Sequence, residues 1–587
     1  MSGTAVAAPQ HAQRAAAATP TKLVVALTQD IDSLNPFISI TVAGTQIGRE
    51  MYEFLTTYSQ KDESPVPALA SKWTTSADRL TWTYTIRSGA KWSDGVPITA
   101  KDVAFTYNLM MTNPVAATAN GNFTQNFASV TAPNDSTVVI RTKSPQASML
   151  ALDIPIVPQH VWSKVSNIHD YPNLPGGGQP VVSSGPFLLS DYKAGQYAKL
   201  VANPTYWRGR PKIDELDFVH FDNTDAAVQA LKKGDVDLVQ NLSPAQFNAL
   251  QGQPDITTNK AEGARFTELL MNPGAATNSG EAIGDGNPAL KDVAFRRAVA
   301  QAIDVNTLVK QVYGGYAQPG TGYIPARFTT YHWDPAPGQA REFDLDAAGK
   351  ALTAAGYPLV NGQRMGKDGK PVTLRVYGES DRVQDAQELQ YIAGWLKQLG
   401  LGVTTQIMSS DKIDEVDSAG LYDLALSTWT TNPDPDYVLS IQTCSQRPDA
   451  QGQTGTTDDF FCDPQYDQLY QQSVSAPDTA TRATIVKQMQ QVLYQQAPMV
   501  TLVYANALEA YRSDKFAPFA VQPDPGGVIF GQNGYWSYLY ATPLASAGGS
   551  SSTPVIVVVV VVVVVVLGLV LFFVSRRRRV RTADDRE

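Results

Sequence analysis

Cysteine is scarce in this chain, two in 587 residues, and histidine is little commoner at five. A resident metal wants such ligands clustered, but His11, His160, His169, His220 and His332 are scattered. No metal site is expected. The motifs of catalysis are also missing: there is no H-E-x-x-H, G-x-S-x-G or Walker A run. The stretch 362–367 resembles a phosphate loop, yet Asp368 stands where Ser or Thr is required. With no evident nucleophile, acid–base pair or cofactor cradle, the sequence reads as a non-enzyme without cofactor. Clusters of Lys and Arg are confined to the tail, where 575–587 hold six Arg against three acids, so the net charge of −9 understates how acidic the rest is. Nucleic acid is a poor partner for such a body, because phosphate binding rests on grouped cations.

An apolar run is absent from the first twenty residues, MSGTAVAAPQHAQRAAAATP, so no signal peptide is legible there. The opposite end differs. From 555 to 574 every residue but Gly568 is strongly apolar, with ten consecutive valines. Twenty residues rising about 1.5 Å each span about 30 Å, the thickness of a bilayer core, which predicts a transmembrane helix. Arg576 to Arg579 and Arg581 follow it, whereas the linker 544–554 is Ser/Gly-rich and uncharged. Positive residues stay inside, so the expectation is a single-pass protein of the cell membrane with an extracytoplasmic body and a cytoplasmic tail, 575–587. That orientation needs export. Either the true start lies upstream and 1–21 is a spacer or signal remnant, or the body is cytosolic with a tail anchor; the arginines favour the first.

Hydrophobic content of 43% and charge at 17% describe a globular body. Residues 22–28 read as a strand, and 80–87 alternate Trp82, Tyr84 and Ile86 with Thr81, Thr83 and Thr85, the period of a half-buried strand. Thr99, three residues before Asp102, reads as a helix N-cap. A βαβ unit is predicted from strand 213–221, helix 226–233 with Asn223 and Thr224 as cap residues and Gly234 as stop, and strand 236–239. Another follows from strand 372–377, helix 385–399 and strand 403–407. Between them, 293–312 reads as one helical stretch and 347–355 as a second. Two α/β units so far apart suggest two lobes.

The order of motifs resembles the extracellular solute-binding proteins of family 5, the oligopeptide-, dipeptide- and nickel-binding proteins of bacterial ABC importers. The segment LTWTYTIRSGAKWSDGVPITAKDV, 80–103, carries the likeness most strongly. Similar to the family too are Asp32-Ser33-Leu34-Asn35-Pro36, Pro67-Ala68-Leu69-Ala70-Ser71-Lys72-Trp73, Ser183 to Phe187, Asn203 to Trp207, Arg296 to Asp304, Phe343-Asp344 with Ala354 to Tyr357, Trp429 with Asp434-Pro435-Asp436, and Tyr466-Asp467.

This resemblance implies an α/β, periplasmic-binding-protein-like fold: lobe I over 22–270 with an inserted subdomain at about 60–180, lobe II over 271–503, and a return to lobe I over 504–543. A solute would lie in the cleft between lobes. Family members that bind peptides place an aspartate three residues after the tryptophan, where it meets the ligand's α-ammonium; here that position is Asn432. Asp434 or Asp436 could replace it, or the ligand is not a free peptide, and Asp434-Pro435-Asp436 could equally be a turn. Trp429 is a candidate to stack on ligand, Arg382 to pair a carboxylate through its fork, and Asn35 to border the cleft. Cys444 and Cys462 flank a Gly/Thr/Asp-rich loop and form either a local disulfide or two separate buried thiols. The implied partners are a peptide or small-molecule ligand and ABC permease subunits with cytoplasmic ATPases. The implied function is substrate binding for an importer. Alternatives are a ligand-sensing surface receptor of the same fold and a binder of a glycan or nickel chelate.

Overall fold

In the computed structural model the described residues are 20–449, 455–457, 459–531 and 534–544. Three sheets organise them. The first has seven strands in the order Ile256–Ala261, Ala507–Arg512, Leu238–Val239, Lys22–Leu27, Glu215–His220, Tyr197–Ala202 and Phe187–Lys193. Lys22–Leu27 is central, parallel to both Glu215–His220 and Leu238–Val239, so the first predicted βαβ unit crosses over it. Its helix, Thr224–Lys233, starts where the Asn223 side chain accepts from the Ala226 N–H. It stops at Gly234, whose φ of 80° is left-handed, a conformation costly for any residue with a Cβ.

The second sheet has six strands in the order Ala317–Pro319, Met499–Ala505, Arg265–Met271, Leu424–Thr430, Thr373–Glu379 and Gly402–Met408. Helix Asp385–Gln398 joins the parallel pair Thr373–Glu379 and Gly402–Met408. Apolar clusters cover both faces, one including Leu269, Leu374 and Leu396, the other Phe266, Tyr422 and Met489.

The third sheet is antiparallel, in the order Ala70–Thr75, Thr81–Ile86, Thr137–Thr142 and Phe127–Asn134. Trp82, Tyr84 and Ile86 are buried while the threonines between them are half-buried, the alternation the sequence predicts. Helix Ala100–Thr112 begins with a capping box between Thr99 and Asp102. Tyr84 and Val103 share one apolar cluster with Leu23 and Phe218 of the first sheet, so the first and third sheets are built on a common core.

Only two short links join the first sheet to the second: residues 262–264 on the way out and Asn506 on the return. The outward link precedes the expected boundary at 270, because strand Arg265–Met271 already pairs within the second sheet. The single helix expected over 293–312 is two, Val293–Gln301 and Val305–Gln311. Asp304 breaks it, its side chain accepting from the Thr307 N–H as cap of the second helix.

The expected placement in the cell membrane is corrected. Among the described residues no helix is long and apolar enough to cross a membrane, and the predicted span 555–574 and tail 575–587 lie outside them. Of the predicted spacer 1–21, the first 19 residues also lie outside, while Thr21 is tied to the body by its N–H and hydroxyl, both donated to Asp214 at 2.8 and 2.9 Å.

Candidate functional site

Open α/β sheets leave room for a ligand beyond the carboxyl ends of their parallel strands. In the second sheet Thr373–Glu379 is parallel to both Gly402–Met408 and Leu424–Thr430. Past their ends lie Arg382, Ser410 and the segment 431–436, with Trp429 near the end of its strand. Trp429 is half-buried, pairs in register with Phe266 and stands 6.1 Å, ring to ring, from Tyr437. Asn432 is half-buried in the loop that follows.

The next acidic residues are held from within. Arg482, on helix Thr479–Gln496, donates Nη1 to Asp434 Oδ2 at 2.5 Å and Nη2 to Asp434 Oδ1 at 2.8 Å. Nη2 also lies 3.7 Å from Asp436 Oδ1. Burial works against the charge on Arg482, but the two carboxylates more than offset it and hold its pKa above the ordinary value. Asp436 is 2% exposed and accepts from Asn122 Nδ2 at 3.2 Å and the Tyr470 hydroxyl at 3.4 Å. Burial pushes its carboxyl up to about 6.

Asn122 lies between helix Ala100–Thr112 and strand Phe127–Asn134 of the third sheet, so its bond to Asp436 ties that part of the fold to the segment that follows a strand of the second sheet. Further contacts join the parts built on different sheets: Arg327 Nη2 to Glu63 Oε2 at 2.6 Å, Arg79 Nη1 to the Ala476 carbonyl at 3.1 Å, and the Tyr316 hydroxyl to Asn248 Oδ1 at 2.6 Å.

Tyr58, on which Asp434 acts electrostatically, lines a recess together with Arg49, Thr57, Leu152 and Asp153. Helix Val42–Met51 brings Arg49, and strand Thr56–Tyr58 brings Thr57 and Tyr58. Their chain path is fixed by the turn 183–186, where Ser184 and Gly185 donate their N–H groups to the Met51 carbonyl at 3.0 and 2.7 Å. A Cβ on Gly185 would meet the Glu50 carbonyl oxygen at 2.2 Å, so only glycine fits there. Arg49 is ion-paired with Asp153 and stacks over the Phe54 ring at 4.2 Å. Tyr58 is buried between Asp153 and Asp434; burial raises its pKa first, and both carboxylates add to the rise.

A family model, bacterial extracellular solute-binding proteins, family 5 Middle, matches residues 64–449. The chain belongs to this family. A putative ABC transporter peptide-binding protein of Brucella ovis is 28% identical over 395 residues, 66% of this chain and 69% of that one. Among solved structures, NikZ from Campylobacter jejuni in complex with Ni(L-His) aligns with a TM-score of 0.75 at 21% identity, covering 89% of this chain and 99% of that one. The oligopeptide-binding protein AppA from Bacillus subtilis in complex with a nonapeptide gives 0.75 at 22%, covering 88% and 100%. The mixed α/β, periplasmic-binding-protein-like fold is that of these neighbours. As a solute-binding protein of family 5, the chain is a binder, not an enzyme.

Two residues read from the sequence as bordering the solute have partners within the protein. Asn35 is 0% exposed, donates Nδ2 to the carbonyls of Ile168 and Tyr171 at 2.8 and 3.1 Å, and accepts from the Phe37 N–H at 3.0 Å. It holds its own loop. Arg382 is engaged inside its own segment through Nε and Nη2, by Glu379 at 2.9 Å, Asp385 at 3.1 Å and the Leu426 carbonyl at 2.8 Å. Asp434-Pro435-Asp436 is the turn that opens helix Asp436–Ile441, with the Asp436 N–H donated to Asp434 Oδ1 at 3.0 Å. Cys444 and Cys462 are joined as a disulfide. Sequence reasoning missed Arg482, although a signal existed: buried Arg482, Val486, Met489 and Leu493 recur at the spacing of one helix face, and an arginine on an apolar face needs a buried partner.

Proposed function

We propose that this solute-binding protein is the capturing component of an ABC importer, taking a peptide or similar small solute between its two main bodies and delivering it to permease subunits driven by cytoplasmic ATPases. The lobes would be 22–261 with 507–543, including the inserted third sheet, and 265–505. What carries the reading is the pair of single crossovers at 262–264 and 506 beside facing surfaces joined by polar pairs, Asn122–Asp436 and Arg327–Glu63. Opening would break those pairs, and a solute bound to both lobes favours the state that makes them. The peptide-binding name of the Brucella ovis relative and the nonapeptide held by AppA support a peptide. Trp429 would offer its ring and Asn432 a neutral amide to the solute, with Asp434 and Asp436 framing them through Arg482.

Small-angle scattering and calorimetry with a randomised tripeptide library test this. Expected are measurable binding heat and a smaller radius of gyration with peptide. An unchanged profile and no heat with any peptide would overturn it.

A further inference from the structure

The recess lined by Tyr58 contains two polar atoms that nothing satisfies: Arg49 Nε and Thr57 Oγ1 are buried without a hydrogen-bond partner. Arg49 is 6% and Thr57 4% exposed, and both line the same recess. Buried donors without acceptors are rare in native proteins because each was stripped of water for no return. Carboxylates nearby are in the opposite condition. Asp153 is bound by Arg49, Asp434 by the fork of Arg482, and Asp436 by Arg482, Asn122 and Tyr470. An ammonium group entering here would meet acids already paired and the cationic Arg49 Nε, which cannot accept, whereas an oxygen could take a bond from both Arg49 Nε and the Thr57 hydroxyl.

We infer that the recess seats a hydrogen-bond acceptor of the captured solute, a carboxylate or acyl carbonyl oxygen, and not an ammonium. This rests on the reading that a solute is captured between the two bodies: Tyr58, which lines the recess, is buried and has Asp434 among the charges that act on it. Arg49 Nε donates one bond and the Thr57 hydroxyl the other. The Arg49–Asp153 pair keeps the recess neutral overall, so acceptor geometry rather than net charge selects the group.

The test is calorimetry of the full chain with trialanine, N-acetyl-trialanine and trialanine amide. If the seated oxygen is a carboxylate, amidation weakens binding to the natural protein; if it is an acyl carbonyl, acetylation strengthens it. In either case Thr57→Val weakens the favoured peptide about threefold to tenfold, the loss of one hydrogen bond, and removes its advantage. Thr57→Ser restores it, and Arg49→Lys, which keeps the charge facing Asp153 without Nε, reproduces the loss. Persistent binding with all three affinities indifferent to Thr57→Val overturns the inference alone, as does a Thr57→Val effect that disappears on acetylation and so follows the ammonium. Absence of binding to any of the three and to the tripeptide library overturns the inference together with the capture reading.

Discussion

Arg482 holds both oxygens of Asp434 in a two-pronged grip while remaining within 3.7 Å of Asp436. One guanidinium thus balances two carboxylates in a place almost closed to water, and the loop that carries Asn432 after the strand of Trp429 is anchored to helix Thr479–Gln496 through it.

Removing that cation leaves two buried acids uncompensated. Arg482→Met is expected to destabilise the body by about 3–5 kcal/mol, the usual cost of breaking a buried pair from one side. Urea denaturation measures it. A loss under about 1 kcal/mol would show that water already reaches the pair, as at exposed ion pairs.

The pH dependence has a definite sign. Burial pushes Asp436 from 3.8 up to about 6; the Arg482 guanidinium partly opposes this and the Asp434 carboxylate adds to it. An acid whose pKa is higher folded than unfolded binds more protons in the folded state. Its contribution is therefore full below its unfolded pKa and is lost as pH rises through the folded one. Between pH 3.8 and about 6 the natural protein should lose stability relative to Asp436→Asn. Denaturation of the two proteins across that window checks it, and parallel curves would refute the shift.

Local chemistry explains which parts were legible. Trp82, Tyr84 and Ile86 face inward, Thr99 caps with Asp102, and Gly234 turns left-handed, because alternation, capping and φ are decided by neighbours in the chain. The site was harder. Asn35 reaches the carbonyl of Ile168, 133 positions away, and no pattern near Asn35 announces that. Arg382 was readable, since Glu379 and Asp385 stand three residues to either side, a spacing at which charges meet on a helix or turn. Arg49 and Thr57 gave no signal at all, because what marks them is the missing partner.

Closure should depend on Arg327 and Glu63, side chains 9% and 12% exposed that face each other across the two bodies. Burial raises the Glu63 pKa, and Arg327 pulls it back. Opening would return both charges to water, so their coupling belongs to the closed, solute-bound state. A double-mutant cycle of Arg327→Gln and Glu63→Gln on peptide affinity is expected to give a coupling of about 0.5–3 kcal/mol. The same cycle on unfolding in the absence of solute should give less. Equal couplings would mean that the pair holds the bodies together irrespective of solute.

Trp429 separates binding from folding. It sits at the carboxyl end of its strand, half-buried beside Tyr437, and packs against the cluster that includes Phe266 and Tyr504. Trp429→Ala therefore removes some packing as well as the exposed ring face. A central aromatic in a desolvated site commonly contributes about 2 kcal/mol or more to binding. Trp429→Ala is expected to weaken peptide binding by at least about tenfold, equivalent to about 1.4 kcal/mol, while the body still unfolds cooperatively. Trp429→Phe retains most of the packing and should recover stability before it recovers affinity, because the smaller ring presents less surface to a ligand. Calorimetry alongside urea denaturation of both variants reads the two effects apart. Unchanged affinity in Trp429→Ala would assign the ring to the core alone and move the ligand toward the Arg49 side of the cleft.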